Sequence, residues 1–479
     1  MNQFRFLRKN IKEELISNLK DLSYIKSFTI VGSFNSSNSI DSISDIDTVI
    51  IIDKLTEDKF NEIISRVKKT NLKKLGLADY SLNINSTFGP LKFDSKSSIV
   101  FHLMIYDIDG HINHVENSPF TCFDWELSKP ILGLYLKQIY RVGSLQLNDI
   151  ISSRRGLESY LNDIEEGVIS YRENEFLNNI PKTVKKKHYL DSKHILEYSY
   201  HITKNLLLNF YKVVNQKNIS LEVEDLLSFY RGLTDKLNDE IEFVEELNQW
   251  KRNKVKIPKA PIKRVKKFIS NFFSFIKETN KNTSNIYFFR HARTPLNDGS
   301  FLGVGRDPDI IFPKDFNNSN IYNIGYSSSL LRSKNTLKLF SVKQSKTDER
   351  INEINYGELE GKNIFELKRE YKLIYDKWDK MLDPRFPGGE NQQDVIERLE
   401  IFLSEELFNN KNKEVLVITH LVVMRALIKL LWDVEIHLIH RIKLQHLSSI
   451  DLFLQRRVII PNLNNHIRKS IRENLKYEF

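Results

Sequence analysis

Tyr287-Phe288-Phe289-Arg290-His291-Ala292-Arg293-Thr294 is a short apolar run that delivers an Arg-His pair to its own end. Aromatic runs of this kind read as strands. A histidine beside a guanidinium, presented where a strand stops, is an arrangement for handling phosphate. The imidazole can attack phosphorus and the guanidinium can hold phosphoryl oxygens. Arg-His pairs also arise by chance, so the weight falls on the segments downstream.

Four such segments come in the order this chemistry needs. They are Ser327-Ser328-Ser329-Leu330-Leu331-Arg332, then Arg350-Ile351-Asn352-Glu353 with Gly357 and Gly361, then Pro387-Gly388-Gly389-Glu390, and finally the apolar run 415–418 leading to His420 and Arg425. Phosphoryl transfer needs an in-line nucleophile, charge neutralisation on the equatorial oxygens and a proton for the leaving oxygen. Over residues 285–479 the set strongly resembles the histidine phosphatase superfamily, with its phosphoglycerate mutase-like α/β sandwich. The resemblance implies His291 as nucleophile, Arg290 and Arg332 as phosphate clamp, His420 as second phosphate-binding histidine and Glu353 as proton donor. Thr294 and Asn297 fall where the family keeps substrate-binding pocket residues. The sequence departs from the family at Ala292 and Leu421, where glycines are usual, and at Asn391 after Gly-Gly-Glu. Leu421 is expected to narrow or reshape the pocket, while no group that does the chemistry is lost. A mutase shares this chemistry and remains an alternative to a phosphatase.

A second constellation lies near the start. Gly32-Ser33 follows a β-prone run, and Ser44-Asp45-Ile46-Asp47 opens another, continuing to Ile52. Residues two apart in a strand share a face, so Asp45 and Asp47 converge. Paired carboxylates make a poor core element and a good Mg²⁺ site, and Gly-Ser at a turn can offer N–H and hydroxyl groups to a triphosphate. This pattern resembles the polymerase-β-type nucleotidyltransferase superfamily over roughly residues 1–120. The resemblance implies metal-dependent transfer from an NTP, with Asp45 and Asp47 as metal ligands and Gly32 and Ser33 at the substrate. The family supplies a third carboxylate, which this sequence does not place: Asp94 follows the Gly89-Pro90 turn, Asp107 ends the run 98–106, and Asn83 and Asn85 sit where an acid is expected. His102 reads as a core or edge histidine.

The rest of the chain sets limits. With 479 residues, several domains are expected. The single cysteine, Cys122, excludes an internal disulfide and multi-cysteine metal sites, and it fits a reducing, cytoplasmic setting. No export signal or membrane-span-length run is read. The net charge of +10 suits anionic ligands, although lysine-rich composition accounts for it equally. The expected architecture is multidomain α/β: a nucleotidyltransferase-like domain at 1–122, an all-helical domain at 123–250, a basic linker or helix at 251–284, and the phosphatase-like domain at 285–479. Residues 251–267 hold nine Lys or Arg and no acid. A nucleic-acid partner is not expected, since no RNA-binding motif is recognisable and aromatic residues do not interleave with this run. The combined reading is a bifunctional enzyme acting on phosphorylated small molecules and NTP in one metabolite route. A nucleotide-sensing head that regulates the phosphatase, or a nucleic-acid-modifying enzyme, are the alternatives.

Overall fold

The computed structural model describes residues 2–35, 45–89, 98–216, 221–253, 257–281, 283–363, 372–408, 410, 413–455 and 458–477. Five strands form the first sheet: β1 (Ile25–Ile30), β2 (Ile46–Ile52), β3 (Ser81–Asn85), β4 (Ser98–Asp107) and β5 (Pro130–Gly133). Their order is β3-β4-β2-β1-β5, with β2 antiparallel to β1 and parallel to β4. Pleating sorts the β2 side chains by parity. Ile46, Ile50 and Ile52 enter a core shared with the helices Asn2–Leu19 and Glu57–Lys68. Val49 and Ile51 enter a second core, shared with the middle of the chain. Asp47 has the same parity as Val49 and Ile51, so the carboxylate side of the strand is the side that meets the middle layer.

That layer contains the helices Ser192–Asn215, Val223–Leu233, Asn238–Asn253 and Pro261–Lys281. The last one takes up much of the segment expected to be a linker. It buries Phe268, Phe272 and Phe275 in the second core, where Phe272 and Phe275 meet Phe210 and Tyr230. Arg264 and Lys267 pair outward with Glu246 and Asp239. The basic residues here are therefore the solvated face of a packed helix.

The middle segment is not all helix. It carries a ribbon of β6 (Val168–Leu177) and β7 (Ile180–Tyr189), joined at Asn178-Asn179 with φ of 51° and 65°. Positive φ at both positions is the mirror-image turn that matches strand twist, and asparagine tolerates it. The ribbon reaches back to the first domain. Phe88 and Arg172 exchange both backbone hydrogen bonds (2.6 and 2.8 Å), and Phe176 packs 5.2 Å from Phe60.

The C-terminal region adds β8 (Ser284–Arg290), β9 (Ile321–Tyr322), β10 (Ile324–Ser327), β11 (Ser341–Val342), β12 (Ser345–Thr347), β13 (Glu414–Thr419), β14 (Ser449–Gln455) and β15 (Val458–Pro461). The main sheet runs β12-β10-β13-β8-β14-β15, and β9 and β11 form a small ribbon. The four strands from β12 to β8 are parallel, while β14 and β15 pair antiparallel, so the sheet is mixed. Among the described residues no helix is long and apolar enough to cross a membrane.

The C-terminal helix Asn465–Leu475 docks on the middle layer through charge. Arg468 makes a buried bidentate pair with Asp149 (2.7 and 2.9 Å) and also donates to Ser144 O (2.7 Å). Arg472 donates to Val142 O, and Gly143, at φ +72°, lies against the Trp432 ring. Removing one member of a buried pair strands the other charge, so Arg468→Ala is expected to cost about 3–5 kcal/mol in urea unfolding. Arg468→Met combined with Asp149→Leu is expected to recover most of that loss. Equal loss in the double variant would show that the pair is not the source.

Candidate functional site

Strands β8 and β13 are adjacent and parallel, and Arg290 lies opposite Thr419. Both therefore end at one level, and the next residue of each is a histidine. The rings of His291 and His420 stand 5.0 Å apart, and both residues are buried. His291 Nδ1 lies 2.7 Å from Ala292 O. A carbonyl can only accept, so Nδ1 carries the proton and Nε2 keeps its lone pair. Burial, followed by Arg332 and Arg290, holds this imidazole well below its usual pKa.

Burial and Arg332 also depress His420. Its Nε2 is 2.7 Å from Ser328 Oγ, which accepts the Leu330 amide at 3.3 Å. The hydroxyl proton is then available for Nε2, which places the His420 proton on Nδ1. Among the described residues that buried atom has no partner. It is the donor this ring can offer a phosphoryl oxygen.

Arg332 lies on the helix Leu331–Leu337 and is fully buried. Its guanidinium donates to Arg306 O and Gly303 O (2.9 Å each), and Asp307 is farther, at 3.4 Å. Arg290 donates to Leu444 O at 2.6 Å, and burial pushes its pKa down to about 10. The Nε atoms of both arginines are buried and, among the described residues, have no partner. Glu353 is buried, and burial raises its pKa against the opposing pull of Arg332. Its Oε1 accepts the amides of Ile354 (3.0 Å) and Val422 (3.2 Å). The arrangement combines a neutral imidazole with a free lone pair, a buried and a half-buried guanidinium, and a carboxyl that can hold a proton.

These residues match a known pattern. Residues 286–458 match the Histidine phosphatase superfamily (branch 1). The C-terminal domain is a histidine phosphatase superfamily domain. A 2,3-bisphosphoglycerate-dependent phosphoglycerate mutase of Methylocella silvestris is 30% identical over 120 residues, which is 23% of this chain and 58% of that protein. The chain thus spans less than two thirds of that relative's length. Among solved structures, YhfR of Bacillus stearothermophilus is 19% identical over 38% of this chain and 99% of its own, with a TM-score of 0.33. The alpha-ribazole phosphatase of Shigella flexneri is 18% identical over 38% of this chain and 96% of its own, with a TM-score of 0.32. The phosphoglycerate mutase-like domain carries the mixed sheet described above.

Within the histidine phosphatase domain, Thr294 and Asn297 bond each other. Asn297 Oδ1 accepts the Thr294 amide (2.7 Å) and hydroxyl (3.1 Å), which fixes the loop after His291. Gly-Gly-Glu acts as a brace. A β-carbon on Gly389 would fall 2.3 Å from Asn355 O. Glu390 accepts the Asn355 amide (2.8 Å) and pairs with Arg398 (3.1 Å), which itself donates to Glu353 O (3.2 Å). Ala292 is buried and its amide donates to Thr336 Oγ1 (2.9 Å). Leu421 opens the helix Leu421–Trp432 and packs on the C-terminal core. The sequence alone does not single out Ser328, Thr336 or His446. His446 donates from Nδ1 to His291 O (2.9 Å), and its ring is 5.2 Å from His291. No local motif marks His446, because its loop reaches the site through the fold.

In the first domain, Gly32 and Ser33 form a short 3-10 turn directly after β1. Gly32 has φ +73°, and a β-carbon there would lie 2.7 Å from Asp47 Oδ2. Glycine is therefore required twice over. Asp45 and Asp47 come together as expected, and His102 joins them, with ligand atoms within 4.8 Å of one another. His102 stands opposite Asp47 in the β2–β4 register. It is thus not the bland core or edge residue its sequence context suggested. Its Nδ1 meets Asp47 Oδ1 at 2.7 Å and its Nε2 donates to Thr87 O at 2.6 Å. Asp107 lies at the other end of β4, opposite Ile52, where it caps the helix Ile108–Asn117. It is no third ligand. Asp94 lies outside the described residues. Asn85 spends its Oδ1 on Thr87.

Both histidine rings of the phosphatase site are expected to be neutral, with protons on Nδ1 of His291 and Nδ1 of His420. Long-range ¹⁵N–¹H spectra at about pH 6, below the ordinary histidine pKa, would check this. An imidazolium at either position would contradict the assignment.

Proposed function

We propose that the C-terminal domain hydrolyses phosphate monoesters of small molecules through a phosphohistidine. The observation that carries this is the lone pair on His291 Nε2, held neutral between Arg290 and Arg332. Nε2 forms a bond to phosphorus as the P–O bond to the leaving group breaks. Arg290, Arg332 and His420 take the phosphoryl charge. Glu353 gives its proton to the leaving oxygen and, as carboxylate, takes one from the water that then cleaves the P–N bond. A mutase would share the first half and return the phosphoryl group to a bound alcohol. Phosphate release across sugar phosphates, phosphoalcohols and nucleotides, with His291→Ala as control, separates the readings. Release lost in the variant supports hydrolysis, and phosphoryl exchange without release supports the mutase.

Glu353 must be protonated to donate. Burial raises its pKa, so activity is expected to persist into higher pH than an ordinary carboxyl allows and to fall as pH rises through that raised value. Glu353→Gln is expected to lower kcat for alkyl phosphates by about 10²–10⁴-fold and much less for p-nitrophenyl phosphate, whose leaving group needs no proton. Equal losses on both substrates would remove Glu353 from the proton-donor role.

For the first domain, we infer nucleotidyl transfer from an NTP to a small-molecule acceptor, with product chemistry linked to that of the phosphatase. Asp45 and Asp47 fit a hard divalent cation such as Mg²⁺, and His102 adds a nitrogen donor that suits Mn²⁺ as well. Such an ion would neutralise the triphosphate and polarise the acceptor hydroxyl. Gly32 and Ser33 would present backbone N–H and hydroxyl groups to the phosphates, and the Gly32 close approach would keep them against Asp47. A nucleotide-sensing head is the competing reading, and it predicts NTP binding without pyrophosphate release. Asp47→Asn is expected to abolish Mn²⁺ binding, measured by water-proton relaxation, together with pyrophosphate release, while leaving phosphate release intact. Unchanged Mn²⁺ binding would sink the metal assignment.

A further inference from the structure

A cavity of about 430 Å³ lies between the first sheet and the middle layer. Ser33, Asp45, Asp47 and His102 line it on the sheet side. Arg154 and Arg155 line it from the middle layer, and Arg172 from β6. Among the described residues, none of these three guanidiniums has a carboxylate within ion-pair reach. Arg154 donates to Asn113 Oδ1 (2.7 Å), and Arg172 stacks over the Phe88 ring at 5.6 Å. Asp163, an acid on the same wall, is engaged elsewhere, with Ser170 and the Tyr198 hydroxyl (2.7 Å). Arg154 is pushed down to about 10, by burial and then by Arg172.

Tyr106, His114 and Arg154 line the same space and carry buried polar atoms. Among the described residues the Tyr106 hydroxyl, both ring nitrogens of His114 and Arg154 Nη1 are buried without protein partners, and the neutral His114 ring brings one N–H and one lone pair. Tyr106 and His114 are 6% and 5% exposed. Leaving such groups unpaired is costly, and one site that collects several of them has an unfilled requirement for acceptors. The rings beside them form a column: Phe88 to Tyr106 at 4.8 Å, Tyr106 to His114 at 5.1 Å and His114 to Trp125 at 5.0 Å. The wall is thus planar and apolar in the middle and rich in N–H and O–H donors at the guanidiniums.

We propose that Arg154, Arg155 and Arg172, with Tyr106 and His114, form a second phosphoryl-binding site, distinct from the His291 pocket, for a phosphorylated small molecule whose body lies along the ring column. A phosphoryl group supplies acceptors for these donors and a negative charge within ion-pair reach of the three guanidiniums, where no described acid stands. The same chemistry has two sources: a phosphorylated acceptor, or the phosphate tail of the nucleotide donor. That the ligand's other end faces Asp45 and Asp47 for reaction rests on the transferase reading. The anion site itself does not.

The test uses the full chain with phenylphosphonate, a non-hydrolysable monoester mimic, titrated by calorimetry in EDTA. Wild type is expected to bind two equivalents, one in each pocket. Arg154→Gln with Arg172→Gln is expected to weaken one of them by at least about tenfold while phosphate release at His291 is unchanged, which also reports folding. Arg332→Ala is expected to weaken the other. Arg154→Lys with Arg172→Lys keeps the charge and is expected to retain part of the affinity. A parallel arm uses inorganic triphosphate with Mn²⁺. Weakening of phenylphosphonate assigns the site to a phosphorylated acceptor, and weakening of triphosphate alone assigns it to the donor tail. If the glutamine pair binds both probes as wild type does, the site is refuted. Failure of pyrophosphate release would remove the transferase reading and leave these binding results standing.

Discussion

Arg332 is buried and Arg290 half-buried, with backbone carbonyls as their main acceptors. That choice governs the rest of the catalytic pocket. A carbonyl satisfies a guanidinium N–H geometrically without cancelling its charge, so positive potential stays in a low-dielectric space. The potential adds to desolvation in keeping His291 and His420 neutral. Glu353 feels the same arginines, yet its burial dominates and favours the protonated form. A phosphoryl group is the missing counter-charge. Until one binds, the positive potential stays uncancelled, and it keeps the His291 imidazole neutral, as the proposed phosphohistidine step requires.

Holding these groups in place is backbone work. The equal ends of β8 and β13 set the separation of the two histidines, because adjacent parallel strands in fixed register cannot slip without turning side chains to the other face. Thr419 adds a tie by donating to Ile351 O (2.8 Å), two residues before Glu353. Arg398 then fastens the Glu353 loop from the opposite side. Gly-Gly-Glu braces the Glu353 loop at one remove, by letting Asn355 approach Gly389 so that Glu390 can reach Arg398.

The features legible in the sequence are those set by local pattern. The apolar runs of β8 and β13 place Arg290, His291 and His420 at strand ends, and alternation in β2 brings Asp45 and Asp47 together. The hidden features depend on contacts between distant segments. His102 looks like a core residue until β4 is laid beside β2 in register. Ser328 sits in the same motif as Arg332, and its hydroxyl matters only because His420 arrives 92 residues later. The ribbon Val168–Tyr189 is a charged stretch with little apolar alternation, set between helices, although Asn178-Asn179 is its turn signal. The basic run at 251–267 misleads as well: its lysines and arginines suggest a linker, and Phe268, Phe272 and Phe275 decide for a packed helix.

The two sites are joined through well-packed elements. The helix Leu421–Trp432 begins after His420 and ends at Trp432, which lies against Gly143. Six residues on, Asp149 grips Arg468, and five further on Arg154 enters the first-domain cavity. Glu435, beside this contact, pairs with Lys137 and Arg141 (2.7 Å each) strongly enough to overcome its own burial and hold its pKa at about 2. Spatial continuity alone is no argument for communication, which requires an element with two arrangements. A buried bidentate pair, a ring packed on a glycine and a doubly paired glutamate instead favour one arrangement, since each loses its partners if the surfaces slide. On the proposed reading of two anion sites, this packing holds them at a constant separation on one folded chain, and the net charge of +10 suits anionic ligands at both.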